Sequence, residues 1–484
     1  MPNNQNDSEL VIGLITTVGT NTSDVIRNIQ DKLTQFKYQL ERIKVSSDII
    51  SEFAPPRDFN SEYDRISYYM DLGNKIREKT GDYSILMKGV VSKILLKREN
   101  PANPAPRKRV AYIIDSIKHP DEVHFLRDTY GVGFHLIGIS STRNRRIEFL
   151  TKEKGLSIEQ AEELLNRDAN ESEKHGQHTQ DAFQNSDYFI NISDNTDEIR
   201  ENIYRLLDLL FGDPFITPTF SEFAMFMAYA NSLRSADLSR QIGAVITKKN
   251  EIIASGANDC PKVGGGLYWL EYISNRYEDT PKGRDYTLGY DSNKKEQAKM
   301  ISDILSSLQL EKNSENIKKI KDSGIGDLTE YGRVVHGEME ALLMCSRNNI
   351  SCRDAEMYVT TFPCHNCAKH IIAAGLKKVI YIEPYPKSKA LDFYINEISE
   401  NPDDIDKVCF VPFVGVGPHR FIDLFSINST QWYKRKRKDE EGNKITWNAK
   451  KASLRNPMNV FNYIDSEVAA YRAYNDLIQN LNSV

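Results

Sequence analysis

The sequence predicts an α/β protein whose first half is a P-loop-type parallel sheet with helices on both faces. Two observations carry that prediction, and a third marks a separate chemical centre downstream. Apolar runs of strand length alternate with amphipathic helical stretches up to residue 212, the pattern of a doubly wound sheet. A linker bearing two prolines, residues 213–220, follows, and composition changes after it. Further on, His336, Glu338, Cys364 and Cys367 gather metal-binding and proton-transferring side chains in one stretch.

The chain in order supports each element. Residues 1–8 are polar and read as a disordered tail. Glu9-Leu-Val-Ile-Gly-Leu-Ile15 is a buried-strand run, then comes Thr-Thr-Val-Gly-Thr-Asn, then an amphipathic helix from about Ser23 to Lys37. Strand, glycine-containing turn and helix form the context in which backbone N–H groups cradle phosphate, which makes Gly13, Gly19 and Thr20 candidate nucleotide-binding residues. The motif is incomplete: Gly13 and Gly19 are one residue too far apart, and Thr20 stands where a phosphate-binding lysine is required. Phosphoryl transfer is not expected without that lysine.

Arg109–Asp115 and Phe134–Ser140 are further buried strands, Asp115 ending the first as a candidate metal- or substrate-contacting carboxylate. Arg143, Arg145 and Arg146 open a helical segment reminiscent of the lid of small nucleotide kinases. A last strand at Asp187–Ile192 and a helix from Asp197 to Phe211 complete a domain spanning 9–212. The reading is a nucleotide-kinase-like fold serving regulation, with a nucleotide effector as its expected ligand.

Composition bounds the rest. A chain of 484 residues implies two or three domains. With 40% hydrophobic and 27% charged residues, it is expected to be a soluble globular protein. The 63 basic and 68 acidic residues leave a net charge of −5, which argues against a general polyanion binder. Six cysteines are too few for a disulfide scaffold, so a reducing cytoplasm is expected. The N-terminus shows no signal-peptide pattern, and no apolar run reaches transmembrane length, so no membrane partner is expected. Lys434–Lys438 is a basic run answered at once by Asp439-Glu-Glu, which suits a solvated loop.

The chemical centre is read from donor types. His336, Cys364 and Cys367 offer one nitrogen and two sulfurs, a set that suits Zn2+, and three protein ligands leave a fourth position open. Glu338 lies two residues past the histidine, placed to act as the proton-transferring carboxylate. Glu338–Met344 reads as a helix opening after His336, Met357–Thr361 as a strand, and Cys367–Ala374 as a helix stopped by Gly375. Both helix N-termini then face the metal, where their partial positive charge favours thiolates. The competing reading of the Cys-x-x-Cys is a structural zinc knuckle or a redox pair. A closed site would need a fourth ligand, for which Cys345, Cys352, His365 and His370 are the nearby options. Cys345 falls on the apolar side of its helix and reads as a buried small hydrophobe.

His-x-Glu followed by Pro-Cys-x-x-Cys resembles the signature of zinc nucleobase deaminases. Ser235, Asp237, Gly243-Ala-Val-Ile and Gly256-Ala-Asn258, with His336-Gly-Glu338 and Pro363–Cys367, resemble the deoxycytidylate deaminase family in order and spacing. The resemblance implies a cytidine-deaminase-like three-layer α/β/α domain over 221–425, with a five-stranded mixed sheet. It also implies that Asn258 hydrogen-bonds the sugar 3′-hydroxyl. Gly337 departs from the family's usual alanine. Residues 264–330 exceed the family minimum as an insertion, with helical character from Glu296 to Leu310 and a turn at 289–293, and 426–484 form a C-terminal extension. His419 and Arg420, after a glycine turn, are options for a phosphate contact or for packing.

The whole chain is similar to the bacterial anti-phage dCTP deaminases. That similarity implies conversion of dCTP and dCMP to dUTP and dUMP, depleting the dCTP pool. It also implies control by an inhibitory regulator (RNA or protein) and a homo-oligomer. The alternatives are a housekeeping dCMP deaminase supplying dUMP, a polynucleotide cytidine or adenosine deaminase, and a nucleotide-sensing regulator with a dead deaminase domain. The long N-terminal half argues against the first, the acidic net charge against the second, and the intact His336, Glu338, Cys364 and Cys367 against the third.

Overall fold

The structure, a computed structural model, describes residues 8–98, 100, 104–170, 179–383, 388–427, 436–458 and 460–482. The chain divides into two compact units, residues 1–222 with 413–484, and residues 223–412. The expected tail at 1–8 and the start of the basic run at 434–438 lie almost wholly outside the described residues. Among the described residues no helix is long and apolar enough to cross a membrane.

The first unit holds strands β1 (Leu10–Thr16), β2 (Gln39–Lys44), β3 (Val110–Ile117), β4 (Phe134–Ser141) and β5 (Tyr188–Ile192). They are mutually parallel in the order β5-β4-β1-β3-β2. β1, the central strand, is buried at every position, as its unbroken apolar run predicts. Helices Ser23–Gln35 and Thr196–Leu210 bury Ile29, Leu33, Ile203 and Leu207 against the sheet, in one core with Leu10, Ile12 and Ile113. β2 is absent from the sequence reading. Its residues, Gln-Leu-Glu-Arg-Ile-Lys, lie at the sheet edge and are mostly exposed, so no apolar run announces it.

The second unit holds β6 (Gly243–Lys248), β7 (Glu251–Ala257), the hairpin β8 (Glu271–Ile273) and β9 (Arg276–Glu278), β10 (Glu356–Thr361), β11 (Lys378–Glu383), β12 (Ile398–Ser399) and β13 (Val408–Pro412). Its main sheet runs β12-β13-β11-β10-β6-β7, parallel on one side and antiparallel through β10, β6 and β7. The expected five-stranded mixed sheet is therefore present, with the two-residue β12 added at one edge. Helices Gly337–Arg347 and His365–Ala374 share a core with it through Ala341, Cys345, Ala368 and Ile371. The insertion contributes the hairpin and helices Asp285–Leu288, Ser292–Ser307 and Ser314–Asp322.

The domain boundary at residue 425 needs correction. Residues 413–425, expected in the second domain, and 426–484, expected as an extension, belong to the first unit. β14 (Gly415–Val416) adds to that unit's sheet antiparallel to β5. Leu424, Ala452 and Leu454 enter its core. In helix Val460–Asn482, Glu467 meets the buried Arg98 guanidinium at 2.8 Å, and Arg98 also meets Glu9 at 2.7 Å. A buried arginine with two carboxylates is costly to separate, which ties this helix to the first strand.

Candidate active site

His336 is the residue preceding helix Gly337–Arg347, and Cys364 is the N-cap of helix His365–Ala374 with Cys367 in its first turn. Strand β10 delivers the second helix, and Gly375, at φ +77°, ends it as its sequence predicts. The three ligand atoms lie within 4.8 Å of one another. His336 Nδ1 is 3.5 Å from Cys364 Sγ and 3.3 Å from Cys367 Sγ. Zinc–sulfur and zinc–nitrogen bonds of about 2.3 and 2.05 Å at a tetrahedral angle place N and S about 3.6 Å apart. The donors therefore fit a zinc ion without rearrangement.

Hydrogen bonding from Cys367, and then from His336, pulls the Cys364 thiol down to about 4 despite its burial. The backbone N–H of Cys367 points at Cys364 Sγ from 3.5 Å. A thiolate at a helix N-terminus is the favourable arrangement for a metal ligand. Among the described residues, none of Cys345, Cys352, His365 and His370 joins this group. Cys345 is instead buried in the core, and its thiol is pushed up to about 11 by that burial.

Glu338 is 2% exposed, and its Oε2 has no hydrogen-bond partner among the described residues. Burial raises its carboxyl above the ordinary value. A buried carboxylate oxygen without a partner costs about 1–3 kcal/mol or more, and proteins retain such a group where it serves chemistry. Glu338, His336 and Cys364 line a cavity of about 230 Å³ with Asp237, Ser239, Arg240, Ile242, Asn258, Thr361 and Phe362. The insertion supplies Asp285, Asp291, Asn293 and Thr329 to the same wall. Arg240, Asp285 and Thr329 do not stand out in the sequence reading, and Asp291 and Asn293 enter it only as part of a turn.

Asn258 lines the cavity but is engaged at both ends of its amide. Its Nδ2 donates to the Arg240 carbonyl at 2.7 Å, and its Oδ1 accepts the Ile242 N–H at 2.7 Å. One donor hydrogen and one lone pair remain on that amide for a further partner.

The N-terminal candidates separate from one another. Gly13 is not in the turn: it sits inside β1, where an added Cβ would meet Ile117 Cδ1 at 2.5 Å and the Phe134 ring at 2.9 Å. Gly19, at φ +83°, and Thr20 are in the turn. There the Val18 N–H donates to Asp168 Oδ2 at 2.8 Å, so a carboxylate of this chain holds an amide that the motif assigns to phosphate. Asp115 receives Arg42 at 3.1 Å, and Arg143 and Arg145 pair with Glu162 and Asp194. Arg420 meets Asp187 at 3.1 Å and the Phe134 carbonyl at 2.7 Å within the first unit, which is the packing role. Neither His419 nor Arg420 lines the cavity.

Comparison with known proteins matches residues 218–383 to the cytidine and deoxycytidylate deaminase zinc-binding region. Deoxycytidylate deaminase of Enterobacteria phage T2 is 32% identical over 163 residues, which are 34% of this chain and 79% of that protein. The phage T4 enzyme of the same name is 29% identical over 163 residues, covering 34% and 77%. The human deoxycytidylate deaminase is 26% identical over 164 residues, covering 33% and 63%. Matching a relative at 32% identity over 79% of its length, with its zinc-binding donors grouped beside a cavity that a buried glutamate lines, this chain belongs to the deoxycytidylate deaminase family.

Proposed function

We propose that this protein hydrolytically deaminates free deoxycytidine nucleotides, taking dCTP and dCMP to dUTP and dUMP. The observation that carries the reading is the orphaned, buried Glu338 Oε2 beside the His336–Cys364–Cys367 cluster. When bound by those three residues, zinc supplies a Lewis-acid position that makes a water acidic near neutral pH. Glu338 takes one proton from the water as its oxygen attacks C4 of the cytosine ring and gives it to the ring nitrogen; it then carries the second proton from the new C4 hydroxyl to the amino group, which leaves as ammonia. Its raised proton affinity suits a group that must both accept and return a proton. Asn258 uses its remaining hydrogen-bonding positions on the sugar 3′-hydroxyl.

The first unit serves as a regulatory module in this reading, with a nucleotide effector and an inhibitory regulator as its partners. Its purpose is depletion of the dCTP pool in defence against phage, in a cytoplasmic homo-oligomer. A housekeeping supply of dUMP needs no such module.

Ammonia release from dCTP, dCMP, cytidine and a cytosine-containing oligonucleotide, measured side by side on zinc-analysed protein, tests the reading. Turnover of the free deoxynucleotides and not of the oligonucleotide is expected. Glu338→Gln should keep its zinc and melting temperature while losing roughly 10²- to 10⁴-fold in kcat. Activity confined to the oligonucleotide would overturn the assignment.

A further inference from the structure

Asp168, in helix Ile158–Asn170, is 3% exposed, and both of its carboxylate oxygens meet the carboxyl edge of the first unit's sheet. Oδ2 accepts the Val18 N–H at 2.8 Å, and Oδ1 meets Lys118 Nζ at 3.3 Å. Lys118 follows directly on β3, and its Nζ also donates to the Thr16 carbonyl at 2.6 Å, where β1 ends. β1 and β3 are neighbours, yet the chain leaves β1 towards β2 on one side and leaves β3 towards β4 on the other. Open α/β sheets bind their ligands where connections diverge in this way, beyond the carboxyl ends of the strands.

A backbone amide of the turn after the first strand and a lysine ammonium are the donors that hold phosphate in a P-loop. Here they hold a carboxylate. The lysine that the turn lacks at Thr20 is supplied by the neighbouring strand, and an anion of the chain's own stands between it and the turn. Arg146 reaches the same turn, donating to the Val18 carbonyl at 3.3 Å. A phosphoryl group carries more negative charge and more acceptor oxygens than a carboxylate, so it competes well for these donors. Among the described residues, the helix that carries Asp168 adds nothing to the sheet's main core. Its Ala161, Leu164 and Leu165 belong to a small separate cluster with Met70, Leu150 and Leu156. Releasing Asp168 therefore leaves the sheet's packing in place.

We propose that the turn Thr17–Thr20 and Lys118 form a phosphate-binding site, which Asp168 fills until the phosphate chain of a nucleotide or polyphosphate displaces that carboxylate and its helix. The proposal rests on the reading of the first unit as a module with a nucleotide effector. It names the residues that receive the effector's phosphates and the group those phosphates must displace.

The test is calorimetric binding of ATP, GTP and inorganic tripolyphosphate to the zinc-loaded full chain in excess magnesium, with dCMP turnover followed in the same samples. Asp168→Asn removes the competing charge at nearly constant size and should bind tripolyphosphate roughly 10- to 100-fold more tightly than wild type. Lys118→Met should weaken binding by roughly the same factor, the size of a lost charge-assisted hydrogen bond. Because that change alone strands a buried carboxylate, it is also made together with Asp168→Asn, a pair that buries no unpaired charge. The double variant should bind at least about tenfold more weakly than Asp168→Asn. In wild type, the bound ligand should speed amide hydrogen exchange along residues 158–165 as the helix is released. Wild-type affinity in Asp168→Asn, or a double variant that binds as tightly as Asp168→Asn, overturns the site. Unchanged exchange in ligand-saturated wild type overturns the displacement. Tighter binding of ATP or GTP than of tripolyphosphate identifies the ligand as a nucleotide, equal binding as a free polyphosphate, and either supports the site. Should binding follow Lys118 and Asp168 while dCMP turnover ignores the ligand, the phosphate site stands and the regulatory reading of the first unit falls.

Discussion

Gly256 and Gly337 meet where strand β7 passes the start of the metal-bearing helix. An added Cβ on Gly256 would lie 2.2 Å from the Gly337 carbonyl oxygen and 2.5 Å from the Ala341 N, both backbone atoms that no rotamer change can move. Gly256→Ala must therefore push the helix off the strand. A loss of about 3 kcal/mol, at the upper end for overpacking, is expected, with weakened zinc retention. Thermal melting with metal analysis checks it; an unshifted melting temperature would show that the strand yields instead. Residues of this kind are legible in sequence when a motif names them, as Gly256, Asn258 and Glu338 show. Arg240, in the cavity wall, is not, because the residues that hold it, Asp237, Asn258 and Glu383, converge from three separate stretches of chain.

At the scale of elements, the metal centre was readable because its ligands sit at the starts of two helices whose start and stop signals are local: His336, Cys364 and Gly375 are caps, with Cys367 in the first turn. The helix Val460–Asn482 depends on distant partners, and nothing local in its sequence identifies them. Arg98 there faces two carboxylates, with Tyr463 donating to Glu9 at 2.7 Å and Tyr130 to Glu467 at 3.1 Å. One positive charge cannot balance two buried negatives, and burial pushes the Glu467 carboxyl up to about 7 from an ordinary 4.5. The folded chain thus holds a proton that the unfolded chain gives up at 4.5. The stability this group contributes is full below pH 4.5, is lost as pH rises through about 7, and is gone above. Glu467→Gln, permanently neutral, should gain melting temperature relative to wild type at pH 8 and not at pH 4.5. A gain of equal size at both would remove Glu467 as the source.

At the scale of the molecule, the strands with unbroken apolar runs, β1, β3 and β4, follow the sequence reading closely, whereas the return of residues 413–484 to the first unit does not. That return is built from the two-residue β14, scattered core contacts such as Leu424 and Leu454, and buried charge, none of which has a periodic signature. The second unit is one continuous segment, 223–412, and the first is not. A chain ended at Pro412 should accordingly keep its zinc and the calorimetric transition of the second unit while losing that of the first; two intact transitions would contradict the division. The same topology orders events on the ribosome. Synthesis proceeds from the N-terminus, so the first unit is begun earliest and finished last, with one side of β5 open as a strand edge while 190 residues of the second unit emerge. The deaminase fold can close as soon as its own segment is out. During that interval the nascent protein carries a completed catalytic unit beside an unfinished partner, and any control exerted by the first unit can begin only after the closing helix has left the exit tunnel.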